Sequence, residues 1–261
     1  MNACRIVSLY SGSTGNSFLI QGPDGCILID AGKSAKQLCA ALNDAGVSPD
    51  ALQAIFITHE HNDHISALSV FLKKHPIPVH LPNACAYKLS ADPAVAPHLC
   101  PHPPIDTSLV AGMTVTSFPT PHDSRGSVGY RIEIPNAFPQ CFCIGYATDI
   151  GFVSKEVEAG LAGCQAVILE SNHDLDMLVC GRYPDYLKQR ILSRRGHLSN
   201  PDSAEFAARL CAAGTTSLML AHLSQENNTP ELALDECISA VANEKIQICI
   251  AHPNRITEMQ L

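Results

Sequence analysis

Ala54-Ile55-Phe56-Ile57-Thr58-His59-Glu60-His61-Asn62-Asp63-His64 is the stretch on which the fold turns. The run 54–57 is continuously apolar and of strand length, the pattern of a strand covered on both faces. The polar cluster 58–64 follows without a spacer, so it sits on a loop at the carboxyl end of that strand. Layered α/β folds commonly bind ligands at such ends. His59, His61, His64 and Asp63 put three imidazoles and a carboxylate within six residues, donors suited to a borderline divalent cation. A solvated polar loop is the alternative. Groups of this kind packed without a cation, however, leave buried polar atoms unsatisfied or charged, at a kcal/mol-scale cost for each.

Upstream of this stretch, apolar runs at 5–10, 17–21 and 26–30, separated by turns that include Gly22-Pro23-Asp24-Gly25, predict a meander of three strands. From Ser34, the positions Ala35, Leu38, Cys39, Leu42 and Ala45 follow helical spacing and end near Gly46. Downstream, helical spacing covers 65–73. The proline-rich segment 75–104 reads as irregular, with one helix at 84–89. Strands are expected at 113–118, 127–134 and 141–146. Helices at 154–161, 183–194, 202–212 and 230–242 then alternate with strands at 166–169, 217–221 and 246–250. Strands first, then strands interleaved with helices in each half, predict an α/β, four-layer αββα sandwich. With 261 residues, 46% of them apolar, one domain spanning 1–261 is the expectation.

The net charge of −8 argues against a surface that holds nucleic acid by total charge alone and leaves a local patch open. The apolar start at 6–10 is broken by Ser11-Gly12-Ser13-Thr14-Gly15-Asn16 before a signal-peptide core can form. No apolar run approaches the roughly 18 residues of a membrane span. We therefore expect a cytoplasmic protein without membrane contact. Twelve cysteines are scattered with no C-x-x-C pair, and Cys141 and Cys143 would share one face of a strand. They read as reduced core residues in a reducing cytosol.

H-x-H-x-D-H after a buried strand, His59 to His64 here, resembles the signature of the metallo-β-lactamase superfamily, and Leu28-Ile29-Asp30-Ala31-Gly32 resembles its early strand-end motif. The resemblance implies the αββα metallo-β-lactamase sandwich and two divalent metal ions sharing a bridging hydroxide. It implies that His59, His61 and a later histidine hold the first ion, and Asp63, His64 and a last histidine the second. His122, in Pro119-Thr120-Pro121-His122-Asp123 past the strand 113–118, stands where the third ligand of the first ion is expected. Asp149 fits the bridging aspartate and His222 the last ligand, each just past a strand. Asp30 is expected to hydrogen-bond the metal loop. The segment 11–16 resembles the family's first hairpin, with a plain turn as the alternative.

Two further histidines stand out by context: His173, in Glu170-Ser171-Asn172-His173-Asp174, and His197, in Gly196-His197-Leu198-Ser199-Asn200. Each is a candidate for catalysis or substrate contact, an ordinary structural histidine being the alternative. His75, His80, His98, His102 and His252 read as structural.

Taken in order, the segments 11–16, 58–64, 121–123, 170–174, 196–200 and 222–228 are similar to the single-domain YycJ/WalJ group of bacteria. That resemblance implies a phosphodiesterase or DNA exonuclease. Asp63 would then orient the nucleophile and His197 would serve the leaving or terminal phosphate. Arg182, Lys188, Arg190, Arg194 and Arg195 form a basic cluster beside His197, either a substrate contact or a solvated helix face. The ions are zinc or manganese, with iron as the alternative. Competing functions are a thioester or lactone hydrolase resembling glyoxalase II and, from another class, a non-catalytic metal-binding or regulatory module. The lack of an export signal disfavours a β-lactamase. His61, where flavodiiron proteins carry Glu, disfavours that family.

Overall fold

Along each strand alternate side chains part to opposite faces, and three apolar clusters result. In the computed structural model, which describes residues 4–135 and 141–261, the strands are β1 Arg5–Tyr10, β2 Ser17–Gly22, β3 Gly25–Ile29, β4 Leu52–Phe56, β5 Val79–Pro82, β6 Leu99–His102, β7 Thr107–Val110, β8 Met113–Pro119, β9 Val128–Ile134, β10 Phe142–Ala147, β11 Ala166–Glu170, β12 Ser217–Ala221, β13 Gln247–Ile250 and β14 Thr257–Gln260. The helices are α1 Ala35–Asp44, α2 Asn62–Ile65, α3 Leu68–Phe71, α4 Asn83–Leu89, α5 Lys155–Leu161, α6 Leu175–Cys180, α7 Asp185–Ile191, α8 Asn200–Ala212 and α9 Pro230–Val241. Among the described residues, one sheet runs in the order β14-β1-β2-β3-β4-β5-β6 and the other β13-β12-β11-β10-β9-β8-β7.

Ile27, Ile29 and Phe56 of the first sheet meet Val115, Tyr130 and Ile168 of the second in a central apolar layer. Leu28, Ile55 and Ile57 point the other way, onto Leu38, Phe71 and Cys85 of α1, α3 and α4. Val167, Leu169 and Leu218 do the same for Val157, Phe206 and Ala233 of α5, α8 and α9. Three clusters between four layers are the αββα sandwich read from the sequence.

Strand direction decides where the chemistry lands. β3 is parallel to β4, and β10, β11 and β12 are mutually parallel. β8 is antiparallel to β9, which is antiparallel to β10, so β8 runs with β10. The carboxyl ends of β3 and β4, and those of β8, β10, β11 and β12, therefore share one edge of their sheets. Two buried tyrosines secure the approach: the Tyr130 hydroxyl donates to the Ile57 carbonyl at 2.6 Å and Tyr10 to that of Gly32 at 2.6 Å.

The local departures from the sequence reading have physical causes. The segment 75–104 is not irregular: β5 and β6 extend the first sheet in parallel, with Pro101 tolerated on an edge strand. The helix expected over 183–194 is only Asp185–Ile191, starting after Pro184 and stopping short of Gly196, where a side chain would meet the carbonyls of Arg190 and Ile191. The helical spacing at 65–73 is divided between α2 and α3. β10 begins at Phe142, so Cys141 lies outside it; the Cys143 sulfur instead lies 3.2 Å from that of Cys164.

Candidate metal centre

The loop after β4 carries His59 and His61, and α2 carries Asp63 and His64. His122 follows β8, Asp149 follows β10 and His222 follows β12. The structure brings all seven together. Donor atoms of His59, His61 and His122 lie within 4.8 Å of one another, as do those of Asp63, His64 and His222 and those of His59, His64 and Asp149. Asp149 reaches both triads: its Oδ2 is 3.3 Å from His64 Nε2, and its Oδ1 is 3.7 Å from His122 Nε2 and 3.5 Å from His222 Nδ1.

Three of the strand exits here are sharp. Asp30, Asp149 and His222 have φ of 60°, 57° and 57°, the left-handed region that costs non-glycine residues roughly 1–3 kcal/mol each. The surrounding hydrogen bonds hold them there. Asp30 Oδ1 accepts from the Thr58 amide at 2.8 Å, and its Oδ2 lies 2.7 Å from His64 Nδ1. Thr58 Oγ1 has one proton, which it gives to Asp30; at 3.0 Å it can therefore only accept from His59 Nδ1. Glu170 Oε1 lies 2.8 Å from His222 Nδ1, and the Gly196 carbonyl 3.1 Å from His122 Nδ1. With Nδ1 occupied in each, the Nε2 lone pair faces the cluster.

Several of the inward-facing atoms are left without partners. His59 Nε2, His222 Nε2 and Asp149 Oδ2 are buried and make no hydrogen bond, an arrangement native proteins avoid unless another group completes it. Charge points the same way. Burial and the neighbouring His64 hold the His59 imidazole well below its usual range. Burial would lower His222 too, but Asp149, Asp63 and Glu170 outweigh it and raise it to about 10. His64 is held up against burial by Asp30, Asp63 and Asp149. Buried carboxylates are thus drawing protons onto imidazoles, the positive charge that dications supply instead. A nitrogen- and oxygen-rich donor set with unfilled inward atoms fits divalent metal ions.

The glycines of the flanking motifs allow close packing. A side chain at Gly32 would strike the Asp63 carbonyl and the Asn16 amide, the groups that join at 2.8 Å to hold the first hairpin to the metal loop. Asn16 Nδ2 in turn lies 3.2 Å from His64 Nε2 and 3.4 Å from Asp63 Oδ2. The segment 11–16 is therefore more than a turn: Ser11 Oγ also accepts the His222 amide at 2.8 Å.

His197 stands at the rim, its ring centroid 5.2 Å from those of both His122 and His222, and its Nδ1 2.9 Å from Glu170 Oε1. His173 is not brought into the cluster. It is buried, both ring nitrogens lack hydrogen-bond partners, and burial pulls it down to about 4. The basic residues reach the first triad instead: Arg190 Nε donates to Asp123 Oδ2 at 2.5 Å and Arg195 Nε to the His122 carbonyl at 3.3 Å. Arg194 covers the Phe152 ring at 3.8 Å.

Glu170 is the residue that sequence reasoning passed over. Its Oε1 lies within hydrogen-bond reach of both His197 and His222, and its Oε2 accepts the amides of Ile150 and Leu198 at 2.9 and 3.0 Å. Burial would raise its carboxyl, but the two imidazoles hold it down to about 2. A carboxylate ending an apolar strand was the signal that singled out Asp30, and Glu170 carries the same one.

A match to the family described as "Metallo-beta-lactamase superfamily" spans residues 10–137. The chain is 34% identical over 246 residues to "Exodeoxyribonuclease YycJ" of Bacillus anthracis, covering 91% of this chain and 88% of that protein. It is 32% identical over 244 residues to "Exodeoxyribonuclease WalJ" of Streptococcus pneumoniae, covering 92% and 89%. The crystal structure of the metallo-β-lactamase fold protein YhfI from Bacillus subtilis superposes with a TM-score of 0.74 at 18% identity, over 98% of this chain and all of that one. Sequence likeness over nearly the whole chain, a shared fold and a built donor cluster agree: the chain belongs to the metallo-β-lactamase superfamily and is a YycJ/WalJ-like, metal-dependent hydrolase.

Proposed function

We propose that this single-domain chain is a DNA exonuclease that cleaves phosphodiester bonds, with His59, His61 and His122 holding one divalent ion, Asp63, His64 and His222 the other, and Asp149 reaching both. Zinc or manganese suits this donor set. When bound, two such ions activate water and neutralise charge on a phosphoryl group. The observation that carries the proposal is the His197–Glu170 pair at the rim, 2.9 Å apart, beside two donor triads that Asp149 joins. A hydrolase acting on a good leaving group has less use for such a pair.

Glu170 Oε1 accepts a hydrogen bond from His197 Nδ1 at 2.9 Å, which fixes the ring and leaves Nε2 to serve the departing oxygen. Asp63, held ionised against burial by its contacts with His64 and His222, orients the attacking water. Arg190 and Arg195 bring positive charge to the His122 side of the site, which offsets locally the net −8 of the chain. Buried reduced cysteines, such as Cys26, Cys85 and Cys237, support a cytoplasmic setting. No helix among the described residues is long and apolar enough to cross a membrane.

End-labelled DNA and bis(p-nitrophenyl) phosphate, offered to the metal-reconstituted protein without a thiol cofactor, test the proposal; both should be cleaved. His197→Ala should lower kcat on DNA about 10²–10⁴-fold, and on bis(p-nitrophenyl) phosphate, with its good leaving group, far less, with metal content unchanged. Faster turnover of S-lactoylglutathione or a lactone than of any phosphodiester overturns it.

A further inference from the structure

Against His197 lies a cavity of about 190 Å³, bounded in part by Asn172, Tyr183, Leu187, Arg190, Ile191 and His197. None of the seven clustered residues lines it, but His197, which does, has its ring centroid 5.2 Å from those of both His122 and His222. We propose that this cavity binds the terminal nucleoside of a nucleic-acid strand; the proposal rests on the phosphodiesterase function above.

The wall has the character such a ligand requires. Leu187 and Ile191 are one turn apart on the same face of α7, yet α7 buries none of its residues fully. Its apolar face is therefore not spent on the core and lines the cavity, with Tyr183 beside it as a ring on which a base can stack. Asn172 gives the floor a fixed polar group: it is buried, and its Nδ2 donates to the His222 carbonyl at 2.8 Å.

Polar groups are ordered along the path toward the cluster. Arg190 lines the cavity and also pairs with Asp123, whose Oδ1 lies 3.3 Å from His122 Nε2 and 3.8 Å from His61 Nε2. An apolar pocket, then Arg190 and His197, then the donor triads, matches the sequence base, phosphate, bond to be broken. The volume of about 190 Å³ is below the roughly 300–1,000 Å³ of pockets for drug-sized ligands. It is of the order of one nucleoside, which would place the first bond from a strand end beside His197.

Calorimetric binding to the metal-reconstituted protein tests this with three probes: 2′-deoxyadenosine 5′-monophosphate, 2′-deoxyadenosine 3′-monophosphate and 2-deoxyribose 5-phosphate. One of the two nucleotides should bind at least about tenfold more tightly than the sugar phosphate, and its identity tells which strand end is held. Tyr183→Ala should weaken binding of that nucleotide by at least about 5-fold, the low end of what one stacked base is worth, and leave the sugar phosphate unchanged. Leu187→Trp, which fills the cavity from a half-buried position, should abolish the advantage. Nucleotides that bind no more tightly than the sugar phosphate, or an advantage that survives both substitutions, overturn the proposal. Bis(p-nitrophenyl) phosphate turnover is read in parallel. Turnover without a nucleotide advantage defeats the nucleoside site and spares the phosphodiesterase; a nucleotide advantage without cleavage of any phosphodiester does the reverse.

Discussion

Glu170 serves four donors with two oxygens, and no neutral replacement can do the same. A glutamine amide would turn an N–H₂ toward two imidazole Nδ1–H groups or toward the amides of Ile150 and Leu198. Glu170→Gln should therefore weaken metal binding about 10–100-fold, as loss of a ligand-orienting partner does, and lower kcat along with it. Metal titration of the variant checks this, and parent-like affinity would refute the orienting role. His173 makes a different prediction. Its folded value is pulled by burial from 6.5 to about 4, so between those values the unfolded chain binds the extra proton. Its contribution to stability is whole above about pH 6.5 and is lost as pH falls toward 4. In chelator-treated protein, His173→Phe should flatten the stability profile over that window; equal slopes for parent and variant would count against burial as the cause. At this scale legibility depended on density: six adjacent residues announced the metal loop, whereas Glu170, a lone carboxylate, was seen only once β11 placed it between two imidazoles.

Between elements, a close joint is that of β3 and the metal loop, where Gly32 lies against Asp63 and Asn16. Gly32→Ala should push the loop and the first hairpin apart, at a cost of about 1–3 kcal/mol for overpacking. A thermal melt reads this directly, with reduced retention of the ion held by Asp63, His64 and His222 as its companion. An unchanged Tm and full metal content would mean that the joint gives way freely. Elements with strong apolar runs, such as β4, β11 and β12, were legible from the sequence because burial on both faces leaves the runs 54–57, 166–169 and 218–221 without a polar position. β6 (Leu-Cys-Pro-His) and β14 (Thr-Glu-Met-Gln) have no such signal. They are strands because a neighbour offers a free edge, which is tertiary context overriding local preference.

For the molecule as a whole, the donor cluster draws on both sheets: His59, His61, Asp63 and His64 follow a strand of one, His122, Asp149 and His222 strands of the other. Bound ions would therefore tie the two sheets together at one edge. At a hundredfold excess over Kd a ligand adds about 2.7 kcal/mol, which in a chain of this size corresponds to roughly 5–10 °C. Chelation should lower Tm by that amount and zinc or manganese should restore it; calorimetry with and without EDTA decides, and coincident melts would rule out a structural contribution. At the far edge of the first sheet, β14 pairs with β1, and the Arg5–Glu258 ion pair at 3.1 Å joins residues 253 positions apart. During synthesis at about 5–20 residues per second, β1 waits roughly 10–50 s for the strand that covers it. For that interval its backbone is an open edge to any other nascent chain, so the yield of folded protein in a cell depends on chaperone occupancy at the ribosome as well as on equilibrium stability.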